Sequence, residues 1–426
     1  MSQSNPCLWL QLPQSSQSPC DRYKHACCSY NGSVYILGGR ETSSLRDFWK
    51  YSVVHNEWTE LSCTGEAAPE ELEEHSMVAH EGFLYVFGGM LDSPYTRCRC
   101  ALWVFDVVKQ KWVCFQGKAS SPQNPTNRKG HSAVVVGSAM LMYGGIVDIK
   151  GSSQDFWSLN FDTKAWSLLS GSLGPGPRHS HSAVAYQSCM YIFGGLKGLQ
   201  EQRDFWKWSS INHTWTKLKN KSGPPRLVGH SAVTYKESML LFGGGESQNS
   251  LSSCLWRYSF STQTWAQMAT LSDSNPPDKI HHCCAGLGVS YQSSTSSHPP
   301  SSALQPKLLE AKLRPFKNRC FPAPLTYLGS EVTIELETLS PGKCFENGSR
   351  SFGVKSSTEP QLIRSCLTFE NRAFRKQWSC TEEELLEEEE EEDITQHLPD
   401  LLLVLGGRPY AQHSPISVWQ MTLTDS

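Results

Sequence analysis

Five pairs of tryptophans, each pair nine residues apart, limit what this chain can fold into more than any other feature: Trp49 with Trp58, Trp103 with Trp112, Trp157 with Trp166, Trp206 with Trp215, and Trp256 with Trp265. A spacing that recurs five times implies a hairpin of one register, built five times. Upstream of each pair a diglycine closes a short apolar run, as in "VYILGG" and "MYIFGG". These are Gly38 and Gly39, Gly88 and Gly89, Gly144 and Gly145, Gly194 and Gly195, and Gly243 and Gly244. A sixth, Gly406 and Gly407 in "LLVLGG", precedes "SVWQMTL" with Trp419. Thirteen residues before the first glycine of each of the first five stands a histidine: His25, His75, His131, His181 and His230.

Each unit reads as four antiparallel strands, a to d. Strand a is led by the histidine, apolar strand b ends at the diglycine, strand c carries the first tryptophan and strand d begins at the second. Alternation such as "VYIL" and "WKYS", with turn residues "NHT", "DTK" and "STQ" between c and d, fits hairpins rather than helices. A strand that bends out of its sheet beside a neighbour needs backbone angles and a closeness of approach that glycine alone tolerates. The aromatics suit the space between twisted sheets packed face to face. One such sheet cannot bury both faces; a ring of them can.

The sixth unit ends after Trp419 without a strand d, and near the other end "LWLQLP" sets Trp9 in the context of "EWTELS" and "TWTKLK". The expectation is that the strand of Trp9 completes the last sheet and removes its open edge. Trp9 then joins Trp58, Trp112, Trp166, Trp215 and Trp265 as the strand-d set, leaving Trp208 and Trp378 unassigned.

On these motifs, over residues 7–290 and 400–424, the chain resembles the kelch-repeat family. The resemblance implies an all-β, six-bladed kelch β-propeller, closed by an N-terminal strand in the last blade, that serves as a platform for binding other proteins. Residues 1–290 would hold the closing strand, blades 1 to 5 and strand a of blade 6; residues 400–426 would supply strands b and c of blade 6. Residues 291–399 then replace a tight turn with an insertion, which costs little because loop-closure entropy grows only logarithmically with length. Its Ser/Pro-rich opening "SSTSSHPPSSALQP" and its acidic end "TEEELLEEEEEED" read as largely disordered. Ser379 and Thr381, just upstream of the glutamates, fit an acid-directed kinase.

A formal net charge of -3 argues against a general nucleic-acid binder. No apolar stretch is long enough to span a membrane, and the first residues lack a basic region followed by an apolar core, so no signal peptide is expected. A cytoplasmic or nuclear protein follows, with its 16 cysteines reduced and the sequons at Asn31, Asn212 and Asn347 without consequence.

In a propeller the d-to-a and b-to-c connections emerge on one face. Just before strand a stand Arg22, Arg128, Arg178 and Arg226, with Lys279 in the sixth blade. Two readings stand side by side. The cations can brace neighbouring blades through carboxylates or backbone carbonyls, or they can form a rim that grips an acidic or phosphorylated peptide. Resemblance to kelch substrate receptors, which bind acidic turns through arginines placed here, supports the rim. Glu70, Glu71, Glu73 and Glu74 either break that positive ring or occupy it.

No metal or cofactor is expected. The repeated histidines are spread one per blade, and the neighbours in "HHCC" at His281 to Cys284 point to opposite faces of a strand. In "RCRC" the flanking arginines could activate Cys98 or Cys100 as a redox sensor, against the plainer reading of surface cysteines. "LPDLL" at Leu398 to Leu402 superficially resembles a cullin-docking box, but runs straight into strand b. No nucleophile, base and metal constellation is legible, so an oxidase or sugar-isomerase propeller is disfavoured. The expected function is a non-enzymatic protein-interaction scaffold or adaptor, such as a ubiquitin-ligase substrate receptor, or alternatively a scaffold for small-GTPase, vesicle-traffic or actin assemblies.

Overall fold

Period-two alternation within each unit becomes a four-stranded antiparallel sheet, and six of these sheets form the blades of a propeller. The structure is a computed structural model, which describes residues 8–89, 101–113, 115, 124–148, 150–169, 173–247, 250–270, 274, 276–291 and 398–423. Contacts divide the chain into one unit of Met1–Ser296 with Glu384–Ser426 and a second of Ser297–Glu383. All described residues belong to the first. Most of the 291–399 insertion, with Ser379, Thr381, the acidic run and Trp378, therefore lies outside the described residues, as do Cys98 and Cys100.

Blade 1 consists of strands a (Ala26–Tyr30), b (Ser33–Leu37), c (Phe48–Ser52) and d (Glu57–Leu61). Blades 2 to 5 repeat the pattern from strands a at Ser76–His80, Ser132–Val136, Ser182–Tyr186 and Ser231–Tyr235. The a-to-b turn of blade 1 shows why the register holds. Asn31 and Gly32 both take positive φ, 45° and 66°, as the two-residue turn that matches strand twist requires. The nine-residue tryptophan spacing sets the second tryptophan opposite the residue two after the first, an aromatic in four blades, Tyr51 with Trp58, Phe105 with Trp112, Trp208 with Trp215 and Tyr258 with Trp265, and Leu159 opposite Trp166 in blade 3. Trp208 is buried edge-on against Phe156 of blade 3, 5.0 Å between ring centroids.

Blade 6 is assembled from both ends of the chain, in the order Trp9–Leu12, Val418–Thr422, Leu401–Leu405, Cys283–Leu287. Trp9 faces Met421 and Leu12 faces Val418 in antiparallel register. The closing strand packs as the other strands d do: Trp9 lies 5.3 Å from Phe242 of blade 5, and Trp265 of blade 5 lies 5.6 Å from Phe193 of blade 4. Leu401 and Leu402 of the "LPDLL" run are buried within strand b.

The two ends of the insertion are tied together. Asp400 accepts from the Ser290 hydroxyl at 2.5 Å, the Ser290 amide at 3.0 Å and the Tyr235 hydroxyl at 3.2 Å. A short 3-10 turn, Val289–Tyr291, folds Tyr291 over Gly286, where a side chain on the glycine would collide with the ring.

Candidate functional site

The loop face is organised by two closed circles of backbone hydrogen bonds. The residue preceding the repeated histidine of each blade takes a left-handed φ: Lys24, Glu74, Gly130, Ser180, Gly229 and His281. Each of their amides donates to the carbonyl of its counterpart one blade back, at 2.8–3.0 Å, and the amide of Lys24 closes the circle on His281. The second circle uses the diglycines. The amides of Gly39, Gly89, Gly145, Gly195, Gly244 and Gly407 donate to Leu72, Arg128, Arg178, Leu227, Lys279 and Arg22 of the next blade, at 2.7–2.9 Å. Close approach makes the glycine obligatory: at Gly195, which has φ +86°, a Cβ would lie 2.6 Å from the His179 carbonyl oxygen and 2.7 Å from His181 Cβ.

His282, the second histidine of "HHCC", is the blade 6 member of the histidine series, stacked edge-on to Phe242 as His230 is to Phe193. All six histidines are buried between blades. Burial pushes His75, His131 and His282 down to about 3 and His230 to about 4, with His25 and His181 also well below the ordinary imidazole range. Seryl hydroxyls meet two of them, Ser76 with His131 and Ser132 with His181, each at 2.8 Å. Among the described residues no group of three or more His, Cys, Asp or Glu side chains is arranged to hold a metal ion.

The five cations singled out in the sequence do not share one environment. Arg22, Arg128 and Arg178 are fully buried and reach the aspartate just before strand c of their own blade: Asp47, Asp155 and Asp204. Each guanidinium also donates to the first glycine of the diglycine, Gly38, Gly144 and Gly194, at 2.8–3.1 Å. Lys279 is buried as well and donates to the carbonyls of Gly407 and Pro409 at 3.2 and 2.6 Å; burial lowers its pKa. These four side chains hold strand a to the b-to-c loop, the bracing arrangement, and present no charged surface to a ligand. Arg226 stands one residue out of phase. Leu227 takes the buried position and Arg226 is exposed.

Burial works to raise Asp47 and Asp204, but the hydrogen bonds and charge of their arginines prevail and hold both below the usual carboxylate range.

Above the braces lies a second layer of charge. Glu73 takes Lys129 of blade 3 at 2.7 Å and Arg40 of blade 1 at 3.3 Å, and Glu74 pairs with Lys24. The glutamates of the blade 2 loop thus occupy the positive ring, while Glu70 and Glu71 are exposed. Despite burial, Lys129 leads the groups that keep Glu73 ionised below its usual range. Arg408, immediately after the sixth diglycine, is exposed and holds its guanidinium 5.1 Å from the centroid of the Tyr23 ring, which lies against Tyr410 at 5.3 Å. Arg40 and Arg408 follow strand b and so fall outside the set of cations that precede strand a. Their signal was position, since both directly follow a diglycine.

This arrangement defines a six-bladed propeller of kelch type with a charged channel mouth. Residues 3–124 and 74–291 match the model of the KLHDC2/KLHL20/DRC7 Kelch-repeats domain, and the chain belongs to the kelch-repeat β-propeller family. It is 27% identical over 172 residues to Acyl-CoA-binding domain-containing protein 4 of Arabidopsis thaliana, covering 40% of this chain and 25% of that protein. It is 26% identical over 204 residues to Host cell factor 2 of Homo sapiens, covering 39% and 25%. Over 157 residues it is 30% identical to Ras guanine nucleotide exchange factor F of Dictyostelium discoideum, covering 36% and 13%. The chain spans a quarter or less of the length of these relatives. Among the described residues no helix is long and apolar enough to cross a membrane.

Proposed function

We propose that this protein is a non-enzymatic interaction module that captures a partner protein at the channel mouth of its loop face, through an acidic or phosphorylated segment of that partner. One observation carries the reading. The mouth already binds carboxylates, because Glu73 sits between Arg40 and Lys129 from the two flanking blades at 3.3 and 2.7 Å. A partner's acidic group would find the same chemistry at the cations this loop leaves uncovered, Arg408 on blade 6 and Arg226 ahead of blade 5. Arg408 is preorganised by Tyr23 beneath it, and arginine and tyrosine are both enriched among the residues that carry binding energy at interfaces.

Presentation of the captured protein to a ubiquitin ligase is the adaptor role the family resemblance favours; scaffolding of a small GTPase or of actin is the alternative. Proximity labelling with the full chain and with a double variant, Arg226→Glu and Arg408→Glu, tests the site. The variant should lose a defined set of partners while keeping the wild-type melting temperature, since both side chains are exposed. An unchanged partner set would refute the rim.

A further inference from the structure

Blades 1, 3 and 4 carry the same arginine–aspartate brace, so each is a reference for the others. In blade 1 Asp47 is saturated: its two oxygens accept from Arg22 at 2.6 and 2.7 Å, and Oδ2 also accepts from the Trp49 indole at 2.7 Å. Asp204 of blade 4 is held alike, by Arg178 at 2.9 and 2.8 Å and by the Trp206 indole at 2.6 Å. Blade 3 departs from both. Arg128 reaches only Oδ2 of Asp155, at 3.2 Å, and spends its other contacts on Thr126 and Gly144. Trp157 is buried with Tyr85 and Phe87 of blade 2 in its cluster, rather than bonded to Asp155. The Asp155 side chain is 44% exposed, against 25% for Asp47 and 18% for Asp204.

What the loosened brace opens is a cleft of about 320 Å³, lined by Thr126, Val147, Lys150, Ser153, Asp155 and Pro177. One wall is the small hairpin in the b-to-c loop of blade 3, where Ile146–Val147 pairs with Gly151–Ser152. The cleft therefore offers a carboxylate oxygen without its usual donors and, opposite in charge, the exposed ammonium-bearing Lys150.

We infer that this cleft is a binding site for a neutral carboxamide, an asparagine or glutamine side chain of a partner protein. A carboxylate gains from Lys150 but meets Asp155, and an ammonium or guanidinium gains from Asp155 but meets Lys150, so neither ion uses both side chains. A carboxamide satisfies both: its N–H donates to Asp155 Oδ1 and its carbonyl oxygen accepts from Lys150 Nζ, two charge-assisted hydrogen bonds on one planar group. Val147 and Pro177 supply apolar contact for the methylene stem. That the occupant comes from a protein rests on the loop-face reading above; the affinity of the cleft for a carboxamide does not.

The test uses three small probes on the full chain, followed by ligand-observed NMR titration: the N-acetyl, N-methylamide derivatives of glutamine, glutamate and arginine. The glutamine probe should bind more tightly than the other two, and Asp155→Asn and Lys150→Ala should each weaken it about tenfold, the scale of one hydrogen bond to a charged group. Thermal unfolding supplies an independent readout. Asp155→Asn should lower the melting temperature by clearly less than Asp47→Asn, because Asp155 makes one longer bond to its arginine where Asp47 makes two short ones. Equal affinity for the three probes, no binding of the glutamine probe, or unchanged binding in both variants would overturn the assignment. So would an Asp155→Asn melting loss as large as that of Asp47→Asn, which would make Asp155 an ordinary brace. Because these readouts use no partner protein, they can fail while the rim variants still lose capture, and the reverse.

Discussion

The amide of Lys24 donates to the carbonyl of His281 at 2.8 Å, and that bond joins the first blade to the last across a gap of more than two hundred residues in sequence. The same bond links every other neighbouring pair of blades. Its repetition requires a left-handed backbone at each donor, which is inexpensive at Gly130 and Gly229 and strained at Lys24, Glu74, Ser180 and His281. The chain accepts that strain at four of six positions, and three of these four carry side chains able to ionise at the channel mouth. Lys24 and Glu74 then pair with each other, so the backbone circle and the charge pattern of the mouth are products of one geometry.

Acid should open the ring through its histidines. Free imidazole protonates near 6.5, whereas the buried rings take up a proton only near 3 for His75, His131 and His282 and near 4 for His230. Above 6.5 neither state binds the proton and full stability is present. As pH falls below that value the unfolded chain gains protons that the fold refuses, and each histidine removes about 1.4 kcal/mol of stability per pH unit. Asp47 and Asp204, held low by their arginines, add a further loss once pH drops below the ordinary carboxylate range. With native stabilities on the order of 5–15 kcal/mol, cooperative unfolding is expected between about pH 6 and pH 4. Tryptophan fluorescence against pH reports it; a flat signal down to pH 4 would contradict it.

Two arginines that look alike in sequence should differ sharply on truncation. Arg178→Ala strands Asp204 at 18% exposure without its bidentate partner, and removing one member of a buried pair costs about 3–5 kcal/mol. Arg226→Ala removes an exposed side chain and should stay within about 0.5 kcal/mol of wild type. Urea denaturation of the two variants separates the brace from the rim, and equal losses would show that they are not distinct.

Replacing residues 292–397 by a short Gly/Ser linker should leave the propeller folded, because Ser290 and Asp400 already fix the two ends against each other at 2.5 Å. The far-ultraviolet circular dichroism and melting temperature of the shortened chain should match those of the full one. Adding Asp400→Ala to the shortened chain should lower the melting temperature, since three donors on Ser290 and Tyr235 then lose their acceptor. A shortened chain that does not fold would assign the insertion a structural role.

The fold was readable because its determinants repeat. A diglycine, a histidine thirteen residues upstream and two tryptophans nine apart each impose one local geometry, and repetition separates them from chance. The closing strand was readable for the same reason, as Trp9 sits in the setting of Trp58 and Trp215. The site was less so, since proximity to the channel does not distinguish a buried cation from an exposed one. Yet the distinction is written in the chain. Where arginine stands three residues before the histidine, at Arg22, Arg128 and Arg178, aspartate precedes strand c, at Asp47, Asp155 and Asp204. Where leucine stands there, at Leu72 and Leu227, the partner position is Ala101 or Cys254. That covariation among blades marks the braces and sets Arg226 apart. The ion pairs of Glu73 and Glu74 could not be read in this way, because they join different blades and occur once.

Hydrogen exchange at the six amides of the inner circle tests the closed ring most directly. If blade 6 is sealed by the Trp9 strand, the Lys24 amide at the seam should be as protected as those of Glu74, Gly130, Ser180, Gly229 and His281, within about tenfold, because all six open only with the whole ring. Exchange of Lys24 at the rate of a surface loop, with Gly130 and Ser180 still protected, would show a propeller open between its first and last blades.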